Sequence, residues 1–148
     1  MAGSIRICLI AEGFVEDLKK CVSSIQSFTK IPVSIHANGK SNWLEQNLFD
    51  PSQVSISQDK NPLGWGNLIN QFLNHYTEDY LIIMDPSTIF LADPIPNTLA
   101  ALESGYQGAG WKGGLVNLAD DWRTTEDKGS GEVDVLFSYY LALNRSFA

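Results

Sequence analysis

The run Tyr80-Leu81-Ile82-Ile83-Met84 is almost wholly apolar and stops abruptly at Asp85-Pro86. A strand with one wet face alternates apolar and polar side chains, whereas a strand without alternation is covered on both faces. A chain carrying such a run must place it centrally in a sheet and lay other elements over both sides. That requirement points to a layered α/β fold before any motif is considered.

The preceding segments supply the layers. Ile5, Ile7 and Leu9 alternate with Arg6, Cys8 and Ile10 as a largely buried first strand. From Val15, apolar residues recur at Leu18, Cys21 or Val22, Ile25 and Phe28, the three- and four-residue spacing of an amphipathic helix. Val33 and Ile35 begin a second strand that stops at the Asn38-Gly39 turn, and Ser41 caps a short helix expected to run to Leu48. Val54 and Ile56 alternate with serines as a third strand, and Leu68, Ile69, Phe72, Leu73 and Tyr76 mark the next helix. Pro94 and Pro96 bracket the start of another helix with Leu99 and Leu102 inward. Beyond Gly105 the segments are short and glycine-punctuated. Thr124 to Gly131 reads as a polar mobile loop, and Val133 to Leu143 as the last strand. Helices between strands predict a mostly parallel central sheet with helices on both faces.

The 148 residues suit one domain, spanning 1–148. With ten Lys and Arg scattered among seventeen acids, the net charge of −7 argues against a nucleic-acid partner, which needs clustered cations to neutralise phosphates. No apolar run approaches the ~20 residues of a membrane span, and the N-terminus lacks the pattern of a signal peptide. Cys8 and Cys21 have no CxxC spacing and read as two buried thiols in a reducing compartment, so the expected location is cytoplasmic.

Ligands of open parallel sheets bind beyond the carboxyl ends of the strands. Four polar or glycine-rich segments end there: Ala11-Glu12-Gly13, Ala37 to Ser41, Asn61 to Asn67, and Asp85-Pro86-Ser87. Asp85 is the sharpest candidate. A carboxylate at the end of a buried strand is placed to hold a divalent cation, which would neutralise a diphosphate; equally, an Asp before Pro86, Ser87 and Thr88 can simply close a turn. Gly64-Trp65-Gly66 opening a helix can offer backbone N–H groups to phosphate, but position 69 is Ile, so the dinucleotide fingerprint is incomplete. Asn38, Gly39 and Asn67, taken singly, read as turn or cap residues. His36 and His75 do not cluster with acids or cysteines at ligand spacing and read as ordinary surface or core histidines, and no serine–histidine–acid arrangement or nucleophile elbow is expected. Trp43, Trp65, Trp111 and Trp122 could stack on a sugar or base, or simply pack.

In combination these segments resemble family 2 glycosyltransferases of the GT-A fold. The second strand ends in Ala37-Asn38-Gly39-Lys40-Ser41, similar to the family's Asp-Asn-Gly-Ser-like turn. Asn61, Gly64, Gly66 and Asn67 resemble its N-x-G-x-x-x-N loop. Leu81 to Ser87 resembles the strand ending in Asp-x-Asp, and Val133 to Ser146 the strand ending in an Arg-rich turn. The chain departs from that pattern at Ala37 and at Ser87, each standing where the family has an acid, and at Glu12, which replaces a Thr-Tyr-Asn-like turn but can still reach a base.

The resemblance implies a nucleotide-diphosphate sugar held over the strand ends by Glu12, Asn38, Gly39, Asn61, Gly64, Gly66, Asn67 and Ser87. A Mg²⁺ or Mn²⁺ ion would sit at Asp85, and sugar would pass to an acceptor hydroxyl. The catalytic base of the family belongs to an acceptor-binding half that the resemblance does not reach. The late acids Asp120, Asp121, Glu126, Asp127 and Asp134 form no recognisable substitute. The other reading is a degenerate, non-catalytic domain kept for binding or assembly, with homo-oligomers formed through an exposed sheet edge. A different nucleotide-binding α/β protein is a third.

Overall fold

The structure is a computed structural model that describes residues 3–39, 48–121, 125–128 and 130–147; for 127 and 128 it describes the backbone alone. The short helix expected from Ser41, together with Lys40, Trp43 and Trp122, lies outside the described residues.

A six-stranded sheet runs in the order β3-β2-β1-β4-β9-β5. Its first four strands, β1 (Ile5–Ala11), β2 (Val33–Ala37), β3 (Val54–Gln58) and β4 (Tyr80–Met84), are parallel. Ile7 of β1 lies between Val33 and Ile82, and Leu9 between Ile35 and Met84, so one face is a continuous apolar layer. Against that layer pack α1 (Val15–Phe28), through Leu18, Cys21, Val22 and Ile25, and α3 (Ile95–Glu103), through Ile95 and Leu102. Glu16 and Asp17 in the first turn of α1 complement its dipole. On the opposite face Cys8, Leu81 and Ile83 meet Ile69 and Phe72 of α2 (Trp65–His75). The apolar run at Tyr80–Met84 is therefore covered on both sides, as its composition requires.

The α2 face is not uniformly apolar. Towards β3 it carries Arg6, Ser34, His36, Ser55 and Ser57, which bond with one another except at His36 Nε2. Arg6 Nη1 donates to Ser34 Oγ at 2.9 Å, Ser34 and Ser55 hydroxyls meet at 2.8 Å, and Arg6 Nε donates to Glu78 at 2.7 Å beneath the Tyr76 ring. Both thiols are buried and free, and burial pushes each up to about 12.

The C-terminal third departs from expectation. Val133 to Leu143 is not one strand. It divides into β8 (Val135–Leu136) and β9 (Tyr140–Asn144), which belong to different sheets. β9 pairs antiparallel with β4 and with β5 (Gly108–Gly110), and Tyr140 hydrogen-bonds Thr98 of α3 at 2.8 Å. β8 joins β6 (Gly113–Val116) and β7 (Thr125–Lys128) in a small antiparallel sheet. Part of the expected loop at 124–131 is thus strand. The reason lies in the glycines of β6. A Cβ at Gly113 would stand 2.6 Å from Val135 O, and one at Gly114 2.7 Å from Glu126 O, so only glycine lets both partners close in. Among the described residues, no helix is long and apolar enough to cross a membrane.

Candidate functional site

A cleft of about 580 Å³ opens at the carboxyl ends of β1 and β4, where the topology of an open parallel sheet places ligands. Its floor is Ile10 and Met84, and its rim is built from four segments. The β1 end contributes Glu12, Gly13 and Phe14. Gly13 has φ 114°, and Phe14 adopts φ 53° and ψ 51° in the left-handed region before α1. The turn throws the Phe14 ring outward, 80% exposed, and lets α1 begin so that Asp17 faces the cleft. A bulky side chain held in that region is strained. Trp65 enters from the start of α2, and Asp85, Pro86 and Ser87 from the end of β4. Ser138 comes from the turn before β9.

Asp85 does close a turn. Its Oδ1 accepts from Ser87 N at 2.8 Å and from Ser87 Oγ at 2.5 Å. The carboxylate is exposed, and both of those bonds engage the same oxygen. Cys21 lies beneath it; burial chiefly, and then the Asp85 charge, keep that thiol protonated and remove it as a nucleophile.

Glu12, Asp17 and Asp85 make three carboxylates around one cleft, and none of its described lining residues is Lys, Arg or His. No three His, Cys, Asp or Glu side chains converge into a metal cage among the described residues.

The other residues singled out in the sequence separate by position. Asn38 is 9% exposed and its amide is fully used: Nδ2 donates to Glu12 Oε1 at 2.7 Å and to Leu63 O at 3.0 Å, and Oδ1 accepts from Leu63 N at 2.8 Å. It fastens the ends of β1 and β2 to the loop before α2 and lies behind the cleft wall. Gly39, at φ 86°, turns the chain beside Pro62. Asn61, Gly64, Gly66 and Asn67 are exposed around the α2 start, and none lines the cleft; from that segment only Trp65 does. Gly64 has an ordinary φ of −66°, and a Cβ at either Gly64 or Gly66 would meet nothing within 4 Å. Neither backbone strain nor internal packing demands glycine there.

Sequence reading did not single out Phe14, Asp17 or Ser138. Asp17 had a signal, an acid in the first turn of the helix that follows a strand end. Phe14 and Ser138 had none, since a left-handed Phe and a turn between two sheets are set by their surroundings. Of the late acids, Asp134 caps Val116 N at 2.8 Å, and Asp120, Asp121 and Glu126 lie on the small-sheet segments, outside the cleft lining. The Asp127 side chain is outside the described residues. Arg145, in the tail likened to an Arg-rich turn, donates to Glu78 O at 3.0 Å, near the start of β4 and away from the cleft.

One expectation is overturned, that no serine–histidine–acid arrangement is present: His36 is a core histidine, but its Nδ1 lies 3.0 Å from Ser57 Oγ and its Nε2 lies 3.1 Å from Asp59 Oδ2. The pattern was illegible because the parallel register of β2 and β3, which sets His36 opposite Ser57, is a tertiary fact.

No protein-family model and no curated protein matches the sequence. Solved structures do. The mannosyltransferase PcManGT from Pyrobaculum calidifontis, in complex with GDP-Man and Mn²⁺, superposes with TM-score 0.70 at 13% identity, covering 99% of this chain. GalNAc-T7 with UDP, GalNAc and Mn²⁺ superposes with TM-score 0.75 at 10% identity, also over 99% of this chain.

The chain has the GT-A fold.

In that fold the cleft at the ends of β1 and β4 belongs to the part these glycosyltransferases share with this chain, which spans 46% of PcManGT and 36% of GalNAc-T7. Identity this low carries architecture and no chemistry across.

Proposed function

We propose that this GT-A domain binds a nucleotide-diphosphate sugar in the cleft at the ends of β1 and β4, as the donor half of a glycosyltransferase. The observation that carries this reading is electrostatic. Three carboxylates and no cationic side chain among the described lining residues cannot accept a diphosphate directly, because like charges at short range in a half-enclosed site repel. A divalent cation would reverse that sign. Asp85 is the fitting ligand, since hard oxygen donors suit Mg²⁺ and Mn²⁺, and such ions are held by one or two carboxylates together with substrate phosphates. When bound, the ion would neutralise charge on the leaving diphosphate.

The chain's own residues have separable tasks. Ser87 fixes the Asp85 carboxylate through two hydrogen bonds on one oxygen. Asn38 holds Glu12 at the rim. Phe14 and Trp65 offer exposed aromatic surface at the mouth, suited to a base or sugar ring. Gly64 and Gly66 leave the backbone at the start of α2 open to close approach. Transfer to an acceptor hydroxyl would need a base, and none of the described late acids lines the cleft.

Calorimetric titration with UDP, GDP and dTDP sugars, with and without Mn²⁺, tests the reading. The expected result is binding that requires the metal and disappears in Asp85→Ala. Absence of binding by every donor in the presence of Mn²⁺ would sink it.

A non-catalytic assembly module is the second reading, favoured by the edge strand β3. Among the described residues no strand pairs with its outer side, and Ile56 there is 41% exposed. Sedimentation velocity decides: a dimer abolished by Ile56→Lys supports self-association through this edge, and a monomer at all concentrations rejects it.

A further inference from the structure

A second cavity, of about 450 Å³, lies between β3 and α2 and shares no lining residue with the donor cleft. His36, Ser57 and Asp59 line it together with the amide side chains of Gln58, Gln71 and Asn74. His36 is 5% exposed, held edge-on against Phe72 at 6.2 Å, so its ring cannot swing. Nε2 and Asp59 Oδ2 are both sealed from solvent, neither makes an aligned hydrogen bond, and their 3.1 Å contact is close enough to orient the ring.

The Ser57 contact suits either tautomer. A carboxylate only accepts, so the tautomer with its proton on Nε2 is the one that suits Asp59, and it turns the Nδ1 lone pair towards the Ser57 hydroxyl at 3.0 Å. A nucleophile within hydrogen-bond reach of a base, with the base oriented by a third group, is the arrangement that activates serine. The ring is used in the opposite sense from the serine proteases, with Nδ1 as base. The chemistry requires only that the nitrogen facing the hydroxyl carry the lone pair. Ser57 is exposed and on the cavity wall, so a substrate can reach it.

We propose that Ser57, His36 and Asp59 form a second reactive site that accepts acyl groups from small carboxylic esters. Ser57 Oγ adds to the ester carbonyl carbon while its proton passes to His36 Nδ1. The tetrahedral adduct collapses, the bond to the alkoxy oxygen breaks, and His36 returns the proton to the departing alcohol. Water then repeats the sequence on the acyl-serine and releases the acid. Gln71 and Asn74 line the same cavity and carry amide N–H donors for the negative carbonyl oxygen, whereas the Gln58 amide donates to Gly39 O. Asp59 acts by positioning the imidazole.

The whole chain treated with diisopropyl fluorophosphate, and then mapped by peptide mass spectrometry, tests this. Attack by Ser57 Oγ on phosphorus expels fluoride and leaves one phosphoryl adduct. The expected result is an adduct on Ser57, absent in Ser57→Ala and formed at least ~100-fold more slowly in His36→Gln, the order a general base contributes. Because His36 is buried and its variant can misfold, Asp59→Asn, at a partly exposed position, gives an independent reading: the adduct should form several-fold more slowly on the folded variant. No adduct at Ser57 in the native protein, or labelling at the native rate in folded Asp59→Asn, overturns the proposal. The donor-binding reading is untouched by either result.

Discussion

Asn38, at the end of β2, donates from Nδ2 to Glu12 Oε1, at the end of β1, across 2.7 Å. The same amide holds both the N–H and the carbonyl of Leu63, so one side chain ties two strand ends to the loop that opens α2. Asn38→Ala leaves the Leu63 N–H unsatisfied in a largely enclosed position and is expected to cost about 1–3 kcal/mol. Asn38→Asp keeps the bond from Leu63 N but sets a carboxylate against Glu12 and Leu63 O, and should cost more. Urea unfolding of both variants checks the order; equal loss would show that the Glu12 contact is unimportant.

Phe14 carries opposing demands. Its left-handed backbone disfavours any residue with a Cβ, by roughly 1–2 kcal/mol, and glycine escapes this at some entropic cost. Phe14→Gly is therefore expected to stabilise the fold by about 0.5–1 kcal/mol while weakening donor binding through loss of the exposed ring. Thermal unfolding and calorimetry on one variant give both signs. Improved stability with unchanged binding would mean the ring does not touch the donor.

At the far end of the sheet, Arg6 and Glu78 form an ion pair with side chains 19% and 17% exposed. Burial alone would raise the Glu78 carboxyl, but hydrogen bonds from Arg6 and the backbone outweigh it and hold the group below the usual range. A depressed folded value means the stabilisation is present above the ordinary carboxylate range and is lost as pH falls through the folded value. Glu78→Gln should cost about 1–3 kcal/mol at neutral pH and lessen the acid sensitivity of unfolding. An unchanged acid limb would assign that sensitivity to other carboxylates.

High pH acts through different groups. Burial raises Cys8 and Cys21 from 9.0, and Tyr140 from 10.0, each to about 12. The unfolded chain releases these protons first, so stability is full below pH 9 and falls between about 9 and 12. Cys8→Ala with Cys21→Ala should flatten the alkaline limb despite a lower baseline. In the native protein both thiols should resist iodoacetamide at pH 8, and rapid alkylation there would contradict their burial.

Local periodicity carried the first two thirds of the fold. The alternation around Ile7, the helical spacing from Leu18 to Ile25 and the uniform run at Tyr80–Met84 each state a period and a burial pattern within a few residues, and β1, α1 and β4 follow them. From Val133 onward that logic failed, because the residues of β8 and β9 have similar character and differ only in their partners. Which glycine admits a close neighbour is likewise invisible until the neighbour is present, as at Gly113 and Gly114. The site divides the same way. Asp85 was legible, since a carboxylate ending a buried strand reaches the ligand edge of any parallel sheet. Tertiary structure alone decided that Asn38 braces rather than lines the cleft, that Phe14 and Asp17 do line it, and that His36 meets Ser57. Each of those facts is a contact between residues on different elements, and a contact is set by register and crossing, which no local stretch of sequence contains.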